Sequence, residues 1–214
     1  MARPFVIFDF DGTVADSFVE SLKSYNRVAP RLHLRQVAEA EVPELRRMSA
    51  GVLMRTLGIP MWKLPRLMIA VRADLHENFH CVEPVPGIGK AISELTAAGC
   101  DLGIVTSNSE ENVRIFLSRH GIEGFQTIVA GSSIFGKATR LRRLMNSSGH
   151  PNPATVYVGD TAPDIRAARE AGAAAIAVAW GFSDTAPLNE ECPDALCESA
   201  AQLTEAISRL VGAR

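Results

Sequence analysis

The chain lacks three features that would each point to a different class of protein. No apolar run approaches the roughly 18–20 residues that a membrane-spanning helix needs. The net charge of the 214 residues is only -2 at pH 7, so no basic surface is predicted for nucleic acid or an anionic membrane. The first four residues carry no leader-like pattern. We therefore expect a cytoplasmic protein whose partner is a small molecule.

Cysteine is also scarce, and the four cysteines show no spacing typical of a zinc site. Because a chain without a leader is expected in a reducing compartment, disulfide bonds are disfavoured. The sequence predicts reduced and mostly buried thiols at Cys81, Cys100, Cys192 and Cys197.

Apolar, strand-like runs alternate with helical patterns along most of the chain. Alternating units of this length are typical of a parallel sheet with helices on both faces. The predicted class is therefore α/β, with a Rossmann-like three-layer α/β/α core. The predicted strands span about 4–10, 101–106, 126–130, 154–159 and 174–179, and the predicted helices about 88–99, 109–120, 137–148, 163–172 and 199–211.

Residues 16–83 interrupt this alternation. They show helical spacing of apolar residues, as at Leu53 and Leu57, and no convincing strand. We predict a catalytic core formed by 1–15 and 84–214, with a small all-α cap, 16–83, inserted after the first strand. A small domain tethered by two short connectors above an active site is suited to act as a lid.

Three arginines of this insert, Arg46, Arg47 and Arg55, are candidates for binding an anionic substrate, because arginine pairs well with carboxylate or phosphate. The alternative for all three is a solvated helix face. Trp62 and Leu64 are predicted to stabilise the small apolar core of the insert.

Two carboxylates, Asp9 and Asp11, follow the first apolar run at residues 5–8. Open α/β sheets bind ligands at the carboxyl ends of their strands. Ionised carboxylates there are costly unless a cation or a proton compensates them. One of the pair can attack as a nucleophile while its neighbour handles a proton. An acidic strand end followed by a simple turn is the alternative.

Three later features also fall at or just after predicted strand ends. Residues 106–108 (Thr-Ser-Asn) offer donors for a phosphate oxygen, or else an ordinary helix N-cap. Lys137 offers a positive charge for a phosphoryl group, or else a solvated surface side chain. Asp160 and Asp164 offer oxygen ligands suited to Mg²⁺. The alternative is that Asp160 caps the following helix and Asp164 interacts with the positive end of the helix dipole. Gathered acids repel one another, so we expect a divalent metal and a lysine among them.

Together these motifs resemble those of the haloacid dehalogenase-like hydrolase superfamily. Asp9-Phe10-Asp11-Gly12-Thr13 is similar to its first motif, Thr106 or Ser107 to the second, Lys137 to the third, and Gly159-Asp160 with Asp164 to the fourth. The order and spacing agree over nearly the whole chain. The helical insert resembles the C1 cap of phosphoglycolate phosphatase-like and β-phosphoglucomutase-like members.

The resemblance implies phosphoryl transfer through an aspartyl phosphate. Asp9 would be the nucleophile, Asp11 the acid and then the base, and Ser107 and Lys137 would complete the catalytic set. The implied phosphate-binding residues are Thr106, Ser107, Asn108 and Lys137, with Ser107 preferred to Thr106. The implied Mg²⁺ ligands are Asp9, Asp11 through its backbone carbonyl, Asp160 and Asp164.

The resulting hypothesis is a Mg²⁺-dependent phosphatase for a small phosphorylated metabolite, with phosphoglycolate as the first candidate. Asp11 favours phosphoryl transfer over dehalogenation, because dehalogenation needs no proton donor for an alkoxide. A β-phosphoglucomutase-like phosphomutase uses the same motifs and stays open. A non-catalytic binding protein of the same fold is disfavoured, because Asp9, Asp11 and Lys137 are all present. The predicted oligomeric state is a monomer or a homodimer.

Overall fold

A computed structural model describes residues 3–48, 50–131, 136–148 and 155–212. The strands are β1 (Phe5–Phe8), β2 (Ala15–Asp16), β3 (Glu83–Pro84), β4 (Asp101–Val105), β5 (Phe125–Val129), β6 (Thr155–Gly159), β7 (Ala174–Val178) and β8 (Ala195–Cys197). The helices are α1 (Phe18–Val28), α2 (Val42–Arg46), α3 (Ala50–Thr56), α4 (Leu64–Glu77), α5 (Ile88–Ala97), α6 (Glu110–Arg119), α7 (Lys137–Ser148), α8 (Ala162–Ala171), α9 (Thr185–Asn189) and α10 (Leu203–Gly212).

Six of the strands form one parallel sheet in the order β5-β4-β1-β6-β7-β8. Near its centre, Val6 of β1 pairs with Leu102 of β4 and with Val156 of β6. Strands covered on both faces read as continuous apolar runs, which is why β1, β6 and β7 could be recognised in the sequence. The predicted α/β class is confirmed.

Successive side chains of β1 contribute to two separate cores. Val6 and Phe8 pack on the face that carries α5, α6 and α10. Phe5 and Ile7 pack on the opposite face, against α7, α8 and α9. This alternation is the two-residue period of a strand, applied to a sheet with helices on both sides.

A helical segment, residues 18–81, lies between β2 and β3. Those two short strands pair antiparallel, with Ala15 opposite Pro84, so the two connectors of the segment run side by side. Its helices surround an apolar cluster of their own that includes Leu57 and Leu67. The division of the chain at this pair into a catalytic core and a cap stays a prediction.

One prediction for this segment is wrong. Trp62 is 77% exposed, because it lies in the short turn before α4 and its ring faces solvent near the Lys63 ammonium. Leu64 is half-buried.

All four cysteines are free thiols, but only Cys100 and Cys197 are buried, whereas Cys81 and Cys192 are exposed. The prediction of mostly buried thiols is therefore wrong for two of the four. Among the helices of the described residues, none combines the length and apolarity needed to cross a bilayer.

Candidate active site

The predicted catalytic residues converge at the carboxyl ends of neighbouring strands. Asp9 directly follows β1, and Asp160 directly follows β6 beside it. The backbone N–H of Asp9 still donates to Val158 of β6 at 2.8 Å, which extends the pairing to the carboxylate itself. Asp164 lies in the first turn of α8. One carboxylate oxygen from each of these three aspartates lies within 4.8 Å of the other two.

Lys137, the first residue of α7, is the cation of this cluster. Its Nζ lies 3.0 Å from Asp9 Oδ1 and also donates to Asp164 Oδ1. Burial opposes the charged form, but the Asp164 and Asp9 carboxylates outweigh it and raise the pKa of Lys137 well above its usual value. The lysine is therefore a fixed positive charge rather than a solvated surface side chain.

Asp160 is fully buried and is held from two sides. The backbone N–H of Phe182 donates to its Oδ2 at 2.7 Å, and the Thr13 hydroxyl donates to its Oδ1 at 3.3 Å. Gly12 packs directly against it with φ at +79°, and a Cβ there would lie 2.3 Å from Asp160 Oδ2. The glycine of the first motif is thus required both by its backbone conformation and by the space the carboxylate occupies.

The capping alternative considered for Asp160 is wrong, because the N-cap of α8 is Thr161, and the capping contact comes from Asp164 instead. Its Oδ2 accepts from the backbone N–H of Thr161 at 3.1 Å and from the Thr161 hydroxyl, so it caps the start of α8. Its Oδ1 accepts from Lys137 and, at 3.4 Å, from the buried Tyr157 hydroxyl. Helix capping and membership of the acidic cluster are therefore compatible here.

The electrostatics of the cluster call for an additional positive charge. Burial, reinforced by the charges of Asp164 and Asp11 and opposed by Lys137, raises the pKa of Asp9 to about 7. Burial, with Asp164 and Asp9, raises the pKa of Asp160 well above its ordinary range. Among the described residues, these three buried carboxylates are paired with one lysine and so leave excess negative charge, and closely spaced oxygen ligands suit a hard divalent cation. The donor set therefore fits Mg²⁺.

Asp11 has a different environment from the cluster. Its carboxylate oxygens accept from Asn108 Nδ2 at 3.2 and 3.1 Å. Burial of this carboxyl raises its pKa, against the hydrogen bond from Asn108 and the charge of Lys137. A carboxyl that retains a proton more readily than usual is suited to act as a general acid.

The two hydroxyls after β4 differ in their surroundings. Thr106 is 1% exposed, and its Oγ1 accepts from the backbone N–H of Asn108 at 3.0 Å. Ser107 is half-buried. The helix N-cap is Ser109, which accepts from Asn112 N at 3.2 Å, so neither Ser107 nor Asn108 has that alternative role. The preference for Ser107 as the phosphate-binding hydroxyl stays a prediction.

Two contributors to the site were missed by sequence reasoning. The first is the loop 180–182, whose Phe182 N–H holds Asp160; a backbone donor leaves no signature in a sequence. The second is Arg72 of α4, whose positive charge opposes the rise in the pKa of Asp11. Of the arginines that were considered, Arg47 and Arg55 are exposed, whereas Arg46 donates to backbone carbonyls of the loop 180–182.

Comparison with known proteins identifies the family of this chain. The sequence profile of the family described as "Haloacid dehalogenase-like hydrolase" matches residues 6–178. A phosphoglycolate phosphatase of Synechococcus elongatus is 34% identical over 207 residues, covering 96% of this chain and 98% of the relative. A phosphoglycolate phosphatase of Agrobacterium fabrum is 27% identical over 218 residues, covering 95% and 92%.

Solved structures show the same fold. A haloacid dehalogenase-like family protein of Streptococcus pneumoniae superposes with a TM-score of 0.79 at 19% identity, covering 95% of this chain and 97% of that one. The predicted family and enzyme class are both confirmed: the chain belongs to the haloacid dehalogenase-like hydrolase family, as an enzyme of the phosphatase type.

Proposed function

We propose that this protein is a Mg²⁺-dependent phosphatase that hydrolyses a small phosphomonoester, phosphoglycolate first among the candidates, through an aspartyl phosphate at Asp9. The observation that carries the proposal is the pairing of Asp9 with Lys137 at 3.0 Å inside a cluster that also contains Asp160 and Asp164. Such a cluster matches the need of phosphoryl transfer for positioning and charge stabilisation.

Each residue of the proposed site has one task. The ionised Asp9 attacks the phosphorus, and Lys137 orients it and neutralises the oxygens of the transferring group. Asp11 gives its proton to the leaving oxygen and then takes a proton from the water that hydrolyses the aspartyl phosphate. Asn108 keeps the Asp11 carboxyl in place. Ser107 binds a phosphoryl oxygen through its hydroxyl, and Thr106 and Asn108 complete the phosphate-binding set.

The metal has a defined place in this proposal. The side chains of Asp9, Asp160 and Asp164, with the backbone carbonyl of Asp11, are the groups that would hold Mg²⁺. A bound ion would neutralise carboxylate charge and polarise the phosphoryl group.

Arg72 supports the choice of an acidic substrate. It is exposed on α4, and its positive charge lowers the pKa of Asp11 by less than Asn108 or Lys137 does. In this proposal Arg72 pairs with a second anionic group of the substrate, such as the carboxylate of phosphoglycolate.

The test is phosphate release from a panel of esters, including phosphoglycolate, β-glucose 1-phosphate and p-nitrophenyl phosphate, with Mg²⁺ or with a chelator. We expect Mg²⁺-dependent hydrolysis, its loss in Asp9→Asn, and no loss in Asp101→Asn, which changes an aspartate at the opposite end of β4. A substrate chiral at phosphorus separates the routes: an aspartyl phosphate gives overall retention, whereas direct attack by water gives inversion.

A separate kinetic measurement tests the choice of substrate. Arg72→Met should raise the KM for phosphoglycolate and leave that for p-nitrophenyl phosphate unchanged, with Arg66→Met on the same helix as the matched control. Absence of phosphate release from every ester, or rapid isomerisation of β-glucose 1-phosphate with slow hydrolysis, would refute the proposed activity.

A further inference from the structure

Arg46, the last residue of α2, links the helical segment 18–81 to the loop 180–182 after β7. Its Nε donates to the Gly181 carbonyl at 2.7 Å, and its guanidinium also donates to the Trp180 carbonyl. The same guanidinium lies 4.5 Å from the centroid of the Phe18 ring. Only arginine has a planar group with several donors in a fixed fork, which lets it bind two carbonyls and stack on an aromatic ring at once.

The opposite side of this loop holds Asp160. The Phe182 N–H donates to Asp160 Oδ2 at 2.7 Å, and a Cβ on Gly181 would lie 2.2 Å from the same carboxylate. The Trp180 indole donates to the Thr13 carbonyl at 3.2 Å, and the Thr13 hydroxyl donates to Asp160 Oδ1 at 3.3 Å. Within this loop, Trp180 and Gly181 therefore accept from Arg46, while Gly181 and Phe182 contact the buried carboxylate.

We propose that Arg46 is a positioning residue that couples the placement of the segment 18–81 to the cation affinity of Asp160. When Arg46 binds the two carbonyls, the loop presents the Phe182 N–H to Asp160. This hydrogen bond fixes the direction of the remaining lone pairs of the Asp160 carboxylate. When the segment moves away, the loop loses that support. The proposal rests on the proposed function, because it takes Asp160 to be a ligand of Mg²⁺.

The coupling works in both directions, since the effect of one site on another is reciprocal in free energy. If Arg46 strengthens Mg²⁺ binding, then bound Mg²⁺ holds the segment 18–81 more firmly against the loop. Cation binding thereby holds the segment 18–81 in place before substrate arrives.

Two other roles for Arg46 predict different results. As a simple positive charge near the cluster, Arg46 would repel Mg²⁺, so its removal would tighten binding. As a direct ligand of the substrate, it would affect the KM and leave Mg²⁺ binding to the substrate-free protein unchanged. Only a positioning residue gives weaker Mg²⁺ binding without substrate.

The experiment measures Mg²⁺ binding by calorimetry in the complete, substrate-free protein. We expect Arg46→Gln to bind Mg²⁺ about tenfold more weakly, the lower end of what residues supporting metal ligands contribute. The Mg²⁺ affinity of Arg46→Lys should lie between those of Arg46→Gln and the wild type, because an ammonium can donate to one carbonyl but cannot bind both at once as a guanidinium does. The matched control is Arg47→Gln, since the exposed Arg47 forms an ion pair of 3.4 Å with Asp184 and, among the described contacts, no hydrogen bond to the loop 180–182.

Hydrogen exchange supplies a second readout. Mg²⁺ should slow amide exchange within 18–81 in the wild type and in Arg47→Gln, but not in Arg46→Gln. Arg46→Lys keeps the test valid if Arg46→Gln fails to fold.

The inference is overturned if both Arg46 variants bind Mg²⁺ as the wild type does, or more tightly, while phosphatase activity of the wild type stays Mg²⁺-dependent. In that case the proposed function stands. If the wild type binds no Mg²⁺ at millimolar concentration and releases no phosphate, the proposed function and this inference fall together.

Discussion

Asp160→Asn should stabilise the metal-free protein, although it removes a residue of the proposed site. The carboxylate oxygens of Asp9, Asp160 and Asp164 lie within 4.8 Å of one another. At an effective dielectric constant of about 20, two unit charges at that distance repel by about 3.5 kcal/mol. Asparagine keeps an acceptor for the Phe182 N–H and removes the charge. Partial protonation already relieves some of the repulsion, so we expect a gain of about 2 kcal/mol at pH 8.

The pH dependence follows from the raised pKa values. An acid with a raised pKa binds more protons in the folded than in the unfolded protein, so stability falls as the pH rises between the two values. For Asp9 that window runs from its ordinary value of 3.8 to about 7. The metal-free wild type should therefore lose stability from pH 4 to pH 7, and Asp160→Asn should lose less.

Thermal unfolding in the presence of a chelator tests both the stability gain of Asp160→Asn and the loss of stability with rising pH. A gain of about 2 kcal/mol corresponds to an increase in Tm of about 4–8 °C for a protein of this size. Mg²⁺ should raise the Tm of the wild type and of the Asp101→Asn control, but hardly that of Asp160→Asn, because it stabilises only the state that binds it. A lower Tm for Asp160→Asn than for the wild type at pH 8, or an equal Mg²⁺ effect in both, would refute the reasoning.

Three further outcomes are expected. Lys137→Met should lower kcat/KM by about 10³-fold in steady-state assays, because it removes the positive charge beside Asp9, and a loss under tenfold would contradict that role. Gly12→Ala should cost about 2 kcal/mol or more in urea unfolding, whereas Gly58→Ala, with a similar φ of +65° and no heavy atom within 4 Å, should cost less; equal losses would mean that contact with Asp160 is unimportant. Ser107→Ala should lower kcat/KM by about 10²-fold and more than Thr106→Val does, and the reverse order would assign the phosphate contact to Thr106.

The central sheet could be predicted because its signals are local. β1, β4, β6 and β7 are short apolar runs, and the structure places each within two residues of the predicted bounds. β8 was missed, because Ala195–Cys197 contains three residues and shows no period. The helix after the second motif was predicted from 109 and begins at Glu110, since Ser109 is a good N-cap.

The residues with carboxylate or ammonium groups could likewise be found, because their types and positions after strands suggest chemistry. The supports of those groups could not. Phe182 acts through its backbone N–H, and Arg46 reaches a loop more than 130 positions away along the chain. Neither contact follows from a local pattern, since each depends on how the segment 18–81 lies against the sheet.

The sheet order explains why four motifs far apart in sequence can form one site. β1 lies between β4 and β6, so a nucleophile at its end has a neighbouring strand on each side. β4 delivers residues 106–108 on one side, where Asn108 holds Asp11. β6 delivers Asp160 on the other, while the helices before and after β6 supply Lys137 and Asp164. An edge strand would have only one such neighbour. Asn108, which holds Asp11, and the cluster with Asp160 would then have to occupy the same side of the strand. The central position of the first strand is therefore what allows Asp9 to have Asp11, the proposed proton donor, held on one flank and the acidic cluster proposed to bind Mg²⁺ on the other.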